Sequence, residues 1–163
     1  MTDELRPGQA EMNRLSTVLR ITGESASVVS MQAGYQRQAI RRGSDPAADG
    51  DPRLQVDFST KPTLLYIDRS QTQQVGVRQG NTVLLWSQEY RIHRQWLWPK
   101  LLFTVTVDGR AVLRVRERFG RNGSARVFDT RSAAALDPVA ALALLLLEGR
   151  PHKMGLGRGD ITS

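Results

Sequence analysis

Nine consecutive apolar residues occupy most of the segment Asp137–Gly149 (DPVAALALLLLEG), in a chain that is otherwise polar. Asp137 is a suitable N-cap, Pro138 suits the first helical position, and Gly149 is a typical stop signal at a helix end. A helix built from these residues is apolar all round, so it must be buried on every side. At about 18 Å it is too short to cross a bilayer core of about 30 Å. The pattern therefore predicts a buried helix over residues 138–148 that the rest of the chain surrounds.

Most other hydrophobic positions alternate with polar ones, as in half-buried β-strands. RLSTVLRITG (14–23) shows this alternation, and short segments rich in Val, Leu, Tyr and Thr follow between residues 53 and 93. The clearest hairpin is LLFTVTVDGRAVLRVRERFG (101–120), because its Asp108-Gly109 pair tolerates the positive φ angles of a two-residue turn. About eight or nine strands at this close spacing are typical of an antiparallel sandwich or barrel.

The chain of 163 residues has the length of one compact domain. The two patterns together predict a mainly β domain over residues 14–149, in which an antiparallel β-barrel or strongly curved sheet encloses the C-terminal helix. RRGSDPAADGDPR (41–53) combines prolines, glycines and aspartates, and is predicted to be an exposed loop. Residues 1–13 and the basic segment 150–163 are predicted to be flexible ends.

The strand–turn–strand unit FTVTVDGRAVLRVRERFG and the later DPVAALALLLLEG segment resemble the Tubby C-terminal and LURP-one-like domains, which bacterial scramblase-like proteins are thought to share. The resemblance covers about a fifth of the chain. It implies an antiparallel barrel closed around a hydrophobic C-terminal helix. It also implies lipid or membrane-associated binding and no settled catalytic activity. A pleckstrin-homology-like barrel is the alternative shape, but its helix buries only one face at one end of the barrel.

The composition is strongly basic and contains no cysteine. Lysine and arginine number 23 against 16 aspartates and glutamates, and the net charge of +7 favours anionic partners. Only three of the basic residues are lysine, and an arginine excess of this kind is also typical of GC-rich coding sequences. The absence of cysteine excludes disulfide scaffolds, thiolate zinc sites and cysteine nucleophiles.

The N-terminal stretch MTDELRPGQAEMNRL contains acidic residues and lacks the apolar region of a secretory signal. No run approaches the roughly 18 apolar residues expected of a transmembrane helix. We therefore expect a cytoplasmic protein without a transmembrane segment, and peripheral attachment to a membrane remains open.

Four arginines follow the hairpin turn at alternate or nearly alternate positions: Arg110, Arg114, Arg116 and Arg118. Because side chains alternate between the two faces of a strand, these four are predicted to share one face. Successive arginines at alternate positions would lie about 6.6 Å apart, and their planar guanidinium groups can hold phosphate oxygens bidentately. They are the predicted anionic-ligand site. The alternative is a solvated outer face that protects an edge strand from pairing.

The stretch HRQWLWPK (93–100) combines two tryptophans with cations and is the second candidate site. Trp96 and Trp98, with Arg94 and Lys100 beside them, are typical of an anchor at a membrane interface. They could equally stack on nucleobases or form the centre of a protein interface. The alternative is that both tryptophans belong to the hydrophobic core, or that one does and the other covers it.

Catalytic chemistry finds little support. The two histidines, His93 and His152, lie far apart in the sequence, and a nuclease that pairs them with Lys100 or Lys153 is a remote alternative. No HExxH, P-loop or GxSxG motif occurs. The sequence therefore predicts neither an enzyme, nor a metal site, nor a cofactor.

The function predicted from the sequence is a non-enzymatic module that binds an anionic lipid surface through the arginine-rich strand. A protein-interaction module, such as an adaptor or an inhibitor of an acidic protein, is the alternative. Nucleic-acid binding is less favoured, because lysine is scarce, aromatic residues make up only 6% of the chain, and no recognised motif is present.

Overall fold

Twelve antiparallel strands and one helix make up the described part of this computed structural model. The described residues are 5–13, 16–30, 37–43, 54–58, 63–66 and 73–149. In chain order the elements are β1 (Leu5–Met12), β2 (Thr17–Ile21), β3 (Glu24–Ser30), β4 (Arg37–Arg42), β5 (Leu54–Asp57), β6 (Thr63–Tyr66), β7 (Gln74–Gln79), β8 (Thr82–Leu85), β9 (Gln88–Arg94), β10 (Leu102–Val107), β11 (Arg110–Asn122), β12 (Ala125–Ala133) and α1 (Pro138–Gly149).

Each strand pairs with its neighbours in the sequence, and β1 closes the barrel by pairing with β12. The predicted mainly β domain, an antiparallel barrel or strongly curved sheet with a C-terminal helix, is thus confirmed, and of the two shapes the structure has the closed barrel. The expected number of eight or nine strands is wrong. Of the short segments between residues 53 and 93, the apparently continuous TVLLWSQEYRIH is two strands, because a tight turn at Trp86-Ser87 folds β8 back onto β9.

The N-terminal strand is a further correction. Residues 5–12 were predicted to belong to a flexible end, but they form β1, which pairs with both β12 and β2. Its alternation is hard to detect because Pro7 and Gly8 interrupt it. Of the predicted loop 41–53, Arg41 and Arg42 belong to β4. Residues 44–53 and the predicted tail 150–163 lie outside the described residues.

The helix α1 runs through the barrel, and every residue in it except Glu148 is buried. Its N-terminus is capped as expected, because the backbone N–H of Val139 donates to Asp137 Oδ1 at 2.8 Å. The large core side chains come from the inward faces of the strands and from the helix itself, as Phe103, Phe128 and Leu144 illustrate. An apolar rod that is covered on all sides explains why the helix sequence has no polar stripe.

Among the described helices there is none with the length and apolar character needed to span a bilayer.

Candidate functional site

Arginines from the barrel wall hold the C-terminal end of α1. Arg78 donates to the backbone oxygen of Leu147 at 2.6 Å and to Glu148 Oε1 at 2.8 Å, and Arg94 donates to Glu148 Oε2 at 2.9 Å. The last turn of the helix contains no basic residue of its own. Arg78 therefore satisfies one of the free carbonyl groups, and both strand arginines place positive charge at the negative end of the helix dipole. Arg94, a predicted interface cation, is an ion-pair partner of the helix.

A third arginine at this end is tied to a buried carboxylate. Arg126 donates to the backbone oxygen of Gly149 at 2.7 Å and to both carboxylate oxygens of Glu117, at 2.8 and 2.9 Å. Burial raises the pKa of Glu117. The hydrogen bonds and charge of Arg126, the backbone N–H of Leu101 and the charge of Lys100 together lower it by more, so the net shift of the pKa is downward. Glu117 is therefore ionised at neutral pH and serves as a structural anchor.

The tryptophan stretch forms an exposed apolar cluster at the same end of the barrel. Trp96 is 77% exposed and Leu97 is 99% exposed. Trp98 is half-buried and packs against Phe119, with ring centroids 5.3 Å apart, and Phe119 is itself 61% exposed. We call these four residues, Trp96, Leu97, Trp98 and Phe119, the apolar tip. The core-packing alternative is wrong for Trp96, because the connection between β9 and β10 carries it beyond the barrel end.

The tip is attached to the buried helix through one side chain. The Arg94 guanidinium lies 4.8 Å from the centre of the Trp96 ring while it also bonds to Glu148. A cation over an indole face is an attractive arrangement. The exposed tryptophan loop is therefore linked to the most deeply buried element of the protein.

The predicted arginine face is only partly formed. A register shift between Val105 and Thr106 marks a β-bulge in β11. Before the bulge, Arg110 pairs with Val107, which packs against the core. After it, Arg114 pairs with Thr104 on the outer face. A bulge adds one residue and reverses the alternation beyond it. The prediction that Arg110 shares a face with the other three arginines is wrong for this reason. Arg114, Arg116 and Arg118 remain on the outer face.

Arg118 has a partner within the protein. It donates three hydrogen bonds to Asp129 at 2.8 to 3.1 Å, and this contact lowers the pKa of Asp129 and raises the pKa of the guanidinium. In a charge-assisted pair of this kind, each group stays ionised and its charge is balanced by that of its partner. Of the four predicted ligand arginines, Arg114 and Arg116 are left as exposed cations on this face with no ion pair in the described structure.

Arg131 belongs to the same surface and was missed in the sequence. It lies on β12 directly opposite Arg114, and it is exposed. The alternation of Asp129 and Arg131 along β12 indicates an outward face, but only the pairing register shows which neighbour each residue meets. We call Arg114 and Arg131 the arginine pair.

The structure describes one of the two histidines. His93 is exposed on the outer face of β9, where its Nε2 lies 3.0 Å from Thr106 Oγ1. His152 lies outside the described residues, so the two-histidine alternative stays a prediction. Throughout the described ranges, no three His, Asp or Glu side chains converge as potential metal ligands.

Comparison of the chain with protein-family models, with curated proteins and with solved structures finds no match. The resemblance to Tubby-like and LURP-one-like domains therefore stays an expectation, and the function has to be argued from the surface itself.

Proposed function

We propose that the protein is a non-enzymatic module that binds an anionic lipid surface with its apolar tip and the basic residues around it. The observation that carries the proposal is the exposure of Trp96, Leu97 and Phe119 together at one end of the barrel. Exposure of large apolar side chains to water is unfavourable, and contact with an apolar phase lowers the free energy. Such a cluster therefore indicates a binding surface.

The chemistry of the tip suits the boundary between lipid headgroups and acyl chains. Indole rings prefer this layer because they combine an apolar body with an N–H donor. Exposed Arg116 and Arg121 lie on β11, the strand that also carries Phe119, and Lys100 follows the tryptophans. Each cation near an acidic membrane contributes roughly 1 kcal/mol of attraction.

Neither contribution is sufficient alone. A few inserted side chains give weak and reversible attachment, and stable binding requires a second signal such as basic residues that attract anionic lipid. The proposal therefore requires anionic lipid and sensitivity to salt. The closed barrel around an apolar helix, which the Tubby-like resemblance implies, supports the same proposal.

Vesicle co-sedimentation tests the apolar tip. The wild-type protein should bind vesicles that contain phosphatidylglycerol and not vesicles of phosphatidylcholine alone. Replacing Trp96 and Leu97 by serine should weaken binding by tenfold or more, because each large apolar side chain transferred from water contributes about 1.5–3 kcal/mol. Leu84→Ser is the matched control, since Leu84 is 45% exposed on β8, away from the tip, and should bind like the wild type.

Equal binding by the double variant and the wild type would contradict the proposal. Absence of vesicle binding by the wild type would also overturn it, and would favour the protein-interaction alternative. In that case the same double variant is the first to compare in searches for a protein partner, because exposed tryptophans are also typical of interface centres.

A further inference from the structure

Two like charges face each other across neighbouring strands on the outer wall of the barrel. Arg114 on β11 pairs directly with Arg131 on β12, and both are exposed. Directly paired residues of antiparallel strands have Cβ atoms about 4.5–5.5 Å apart, and like charges at this position destabilise the sheet. A compensating anion is therefore expected nearby.

The described surroundings of the arginine pair do not supply that anion. On the β10 side Arg114 is paired with Thr104, and on the β1 side Arg131 is paired with Pro7. The nearest carboxylate in the register, Asp129, is paired with Arg116 and is bound by all three hydrogen bonds from Arg118. Neither member of the pair forms an ion pair or side-chain hydrogen bond with another described residue.

We propose that Arg114 and Arg131 together bind one phosphate group of a phosphomonoester. Two guanidinium groups side by side present two charges and several N–H donors, which a dianionic phosphate with three free oxygens can satisfy. A phosphodiester has one charge and two free oxygens, so it matches the pair less well. The hydroxyl group of Thr104, next to Arg114 on the outer face, is a further donor.

The phosphate can belong to a soluble compound or to a lipid headgroup. The second source rests on the proposed function, because Arg114 of the pair lies on β11, the strand that also carries Phe119 of the apolar tip. The chemistry at the arginine pair is the same in both cases. Separate measurements with a soluble phosphomonoester and with vesicles distinguish them.

NMR titration with glycerol 3-phosphate tests the site directly. The Nε–H signals of Arg114 and Arg131 should shift and saturate together in the wild-type protein. Arg131→Gln should weaken binding about tenfold, which is the effect expected for the loss of a hydrogen-bonded charge. Arg20→Gln is the matched control, because Arg20 is an exposed arginine on β2 and its replacement removes the same charge.

Thermal unfolding shows whether a loss of phosphate binding by Arg131→Gln comes from the site or from a folding defect. Arg131→Gln removes the like-charge contact, so its Tm without ligand should equal or exceed that of the wild type. Added phosphate should raise the Tm of the wild type more than that of the variant. A variant that loses both stability and binding would indicate a structural role for Arg131 and would overturn the inference.

The vesicle arm separates this inference from the proposed function. Wild-type protein should prefer vesicles containing phosphatidic acid, a phosphomonoester, over phosphatidylglycerol vesicles of equal total charge, and Arg131→Gln should lose that preference. Suppose that the protein binds anionic vesicles but does not prefer phosphatidic acid, and that glycerol 3-phosphate causes no shift in the NMR titration. That result would overturn the phosphate site alone. Glycerol 3-phosphate binding without vesicle binding would overturn the proposed membrane function and leave the site supported.

Equal weakening of glycerol 3-phosphate binding by Arg20→Gln and Arg131→Gln would show that net charge alone matters, and would contradict a discrete site.

Discussion

At the scale of single residues, arginine performs three different tasks in this protein, and its partner decides which. Arg78 and Arg94 bind the end of the helix, Arg118 binds Asp129, and the arginine pair has no anion in the described structure. Within the described residues, the pair therefore belongs, with Arg116, to the basic side chains that are available to an external ligand. Net charge alone does not distinguish these tasks.

The ion pair between Glu117 and Arg126 predicts a pH dependence of stability. Because the pKa of Glu117 in the folded protein lies below its usual 4.5, the ionised side chain stabilises the fold above that value. This contribution should be lost as the pH falls from about 4.5 through the folded pKa. Glu117→Gln should reduce the free energy of unfolding at pH 7 by about 3 kcal/mol, because it leaves Arg126 without its charged partner.

Urea unfolding at pH 7 and at several values below pH 4.5 measures this effect. The difference between the wild type and Glu117→Gln should narrow as the pH falls. Glu89→Gln, at an exposed position on β9, is the control and should change stability little. A difference that stays constant at every pH would show that packing, and not charge, is what Glu117 contributes.

At the scale of elements, the turn between β8 and β9 stores backbone strain. Trp86 and Ser87 have φ angles of 49° and 67°, in the left-handed region where residues with a side chain are unfavourable. Replacing the two residues by Asn-Gly, the preferred pair for such a turn, should stabilise the protein by roughly 1–2 kcal/mol. Thermal unfolding measures the gain; an unchanged or lower Tm would show that the Trp86 ring contributes more by packing than the turn costs.

The helix α1 is the element on which the barrel depends. Leu144 is fully buried within it, so Leu144→Asp should unfold the domain, because a carboxylate placed there has no partner. Leu97→Asp introduces the same charge at a site that is 99% exposed, and the fold should tolerate it. Circular dichroism and thermal unfolding compare the two variants. Cooperative unfolding of Leu144→Asp near the wild-type Tm would contradict the central position of the helix.

At the scale of the whole molecule, the barrel places its apolar tip beside the anchored end of the helix. Arg94 joins the two by bonding to Glu148 and lying over Trp96. The closing strand β1 also lies close to both of its neighbours: a Cβ atom at Gly8 would be only 2.7 Å from Thr130 Oγ1 on β12 and 2.7 Å from the backbone oxygen of Arg20 on β2. A closed wall gives the exposed residues fixed relative positions, which the proposed contact with a membrane needs.

Several features were determined by the sequence alone, because they depend on residues close together in the chain. The apolar run between Asp137 and Gly149 predicts a fully buried helix with its cap, and Asp108-Gly109 predicts the turn between β10 and β11, where both residues have positive φ. Alternating polarity correctly indicates a mainly β protein. The enclosure of the helix follows from its composition.

Only the tertiary structure decided the number of strands, the closure of β1 on β12 and the identity of the outer surface. One bulge turns Arg110 away from Arg114, and one register places Arg131 opposite Arg114. Pairing brings together residues that are distant in the chain, and local patterning cannot specify it, since a shift of one position moves every side chain to the other face. The helix was therefore predictable from its own residues, while the arginine pair and the ion pairs around it depend on contacts between strands.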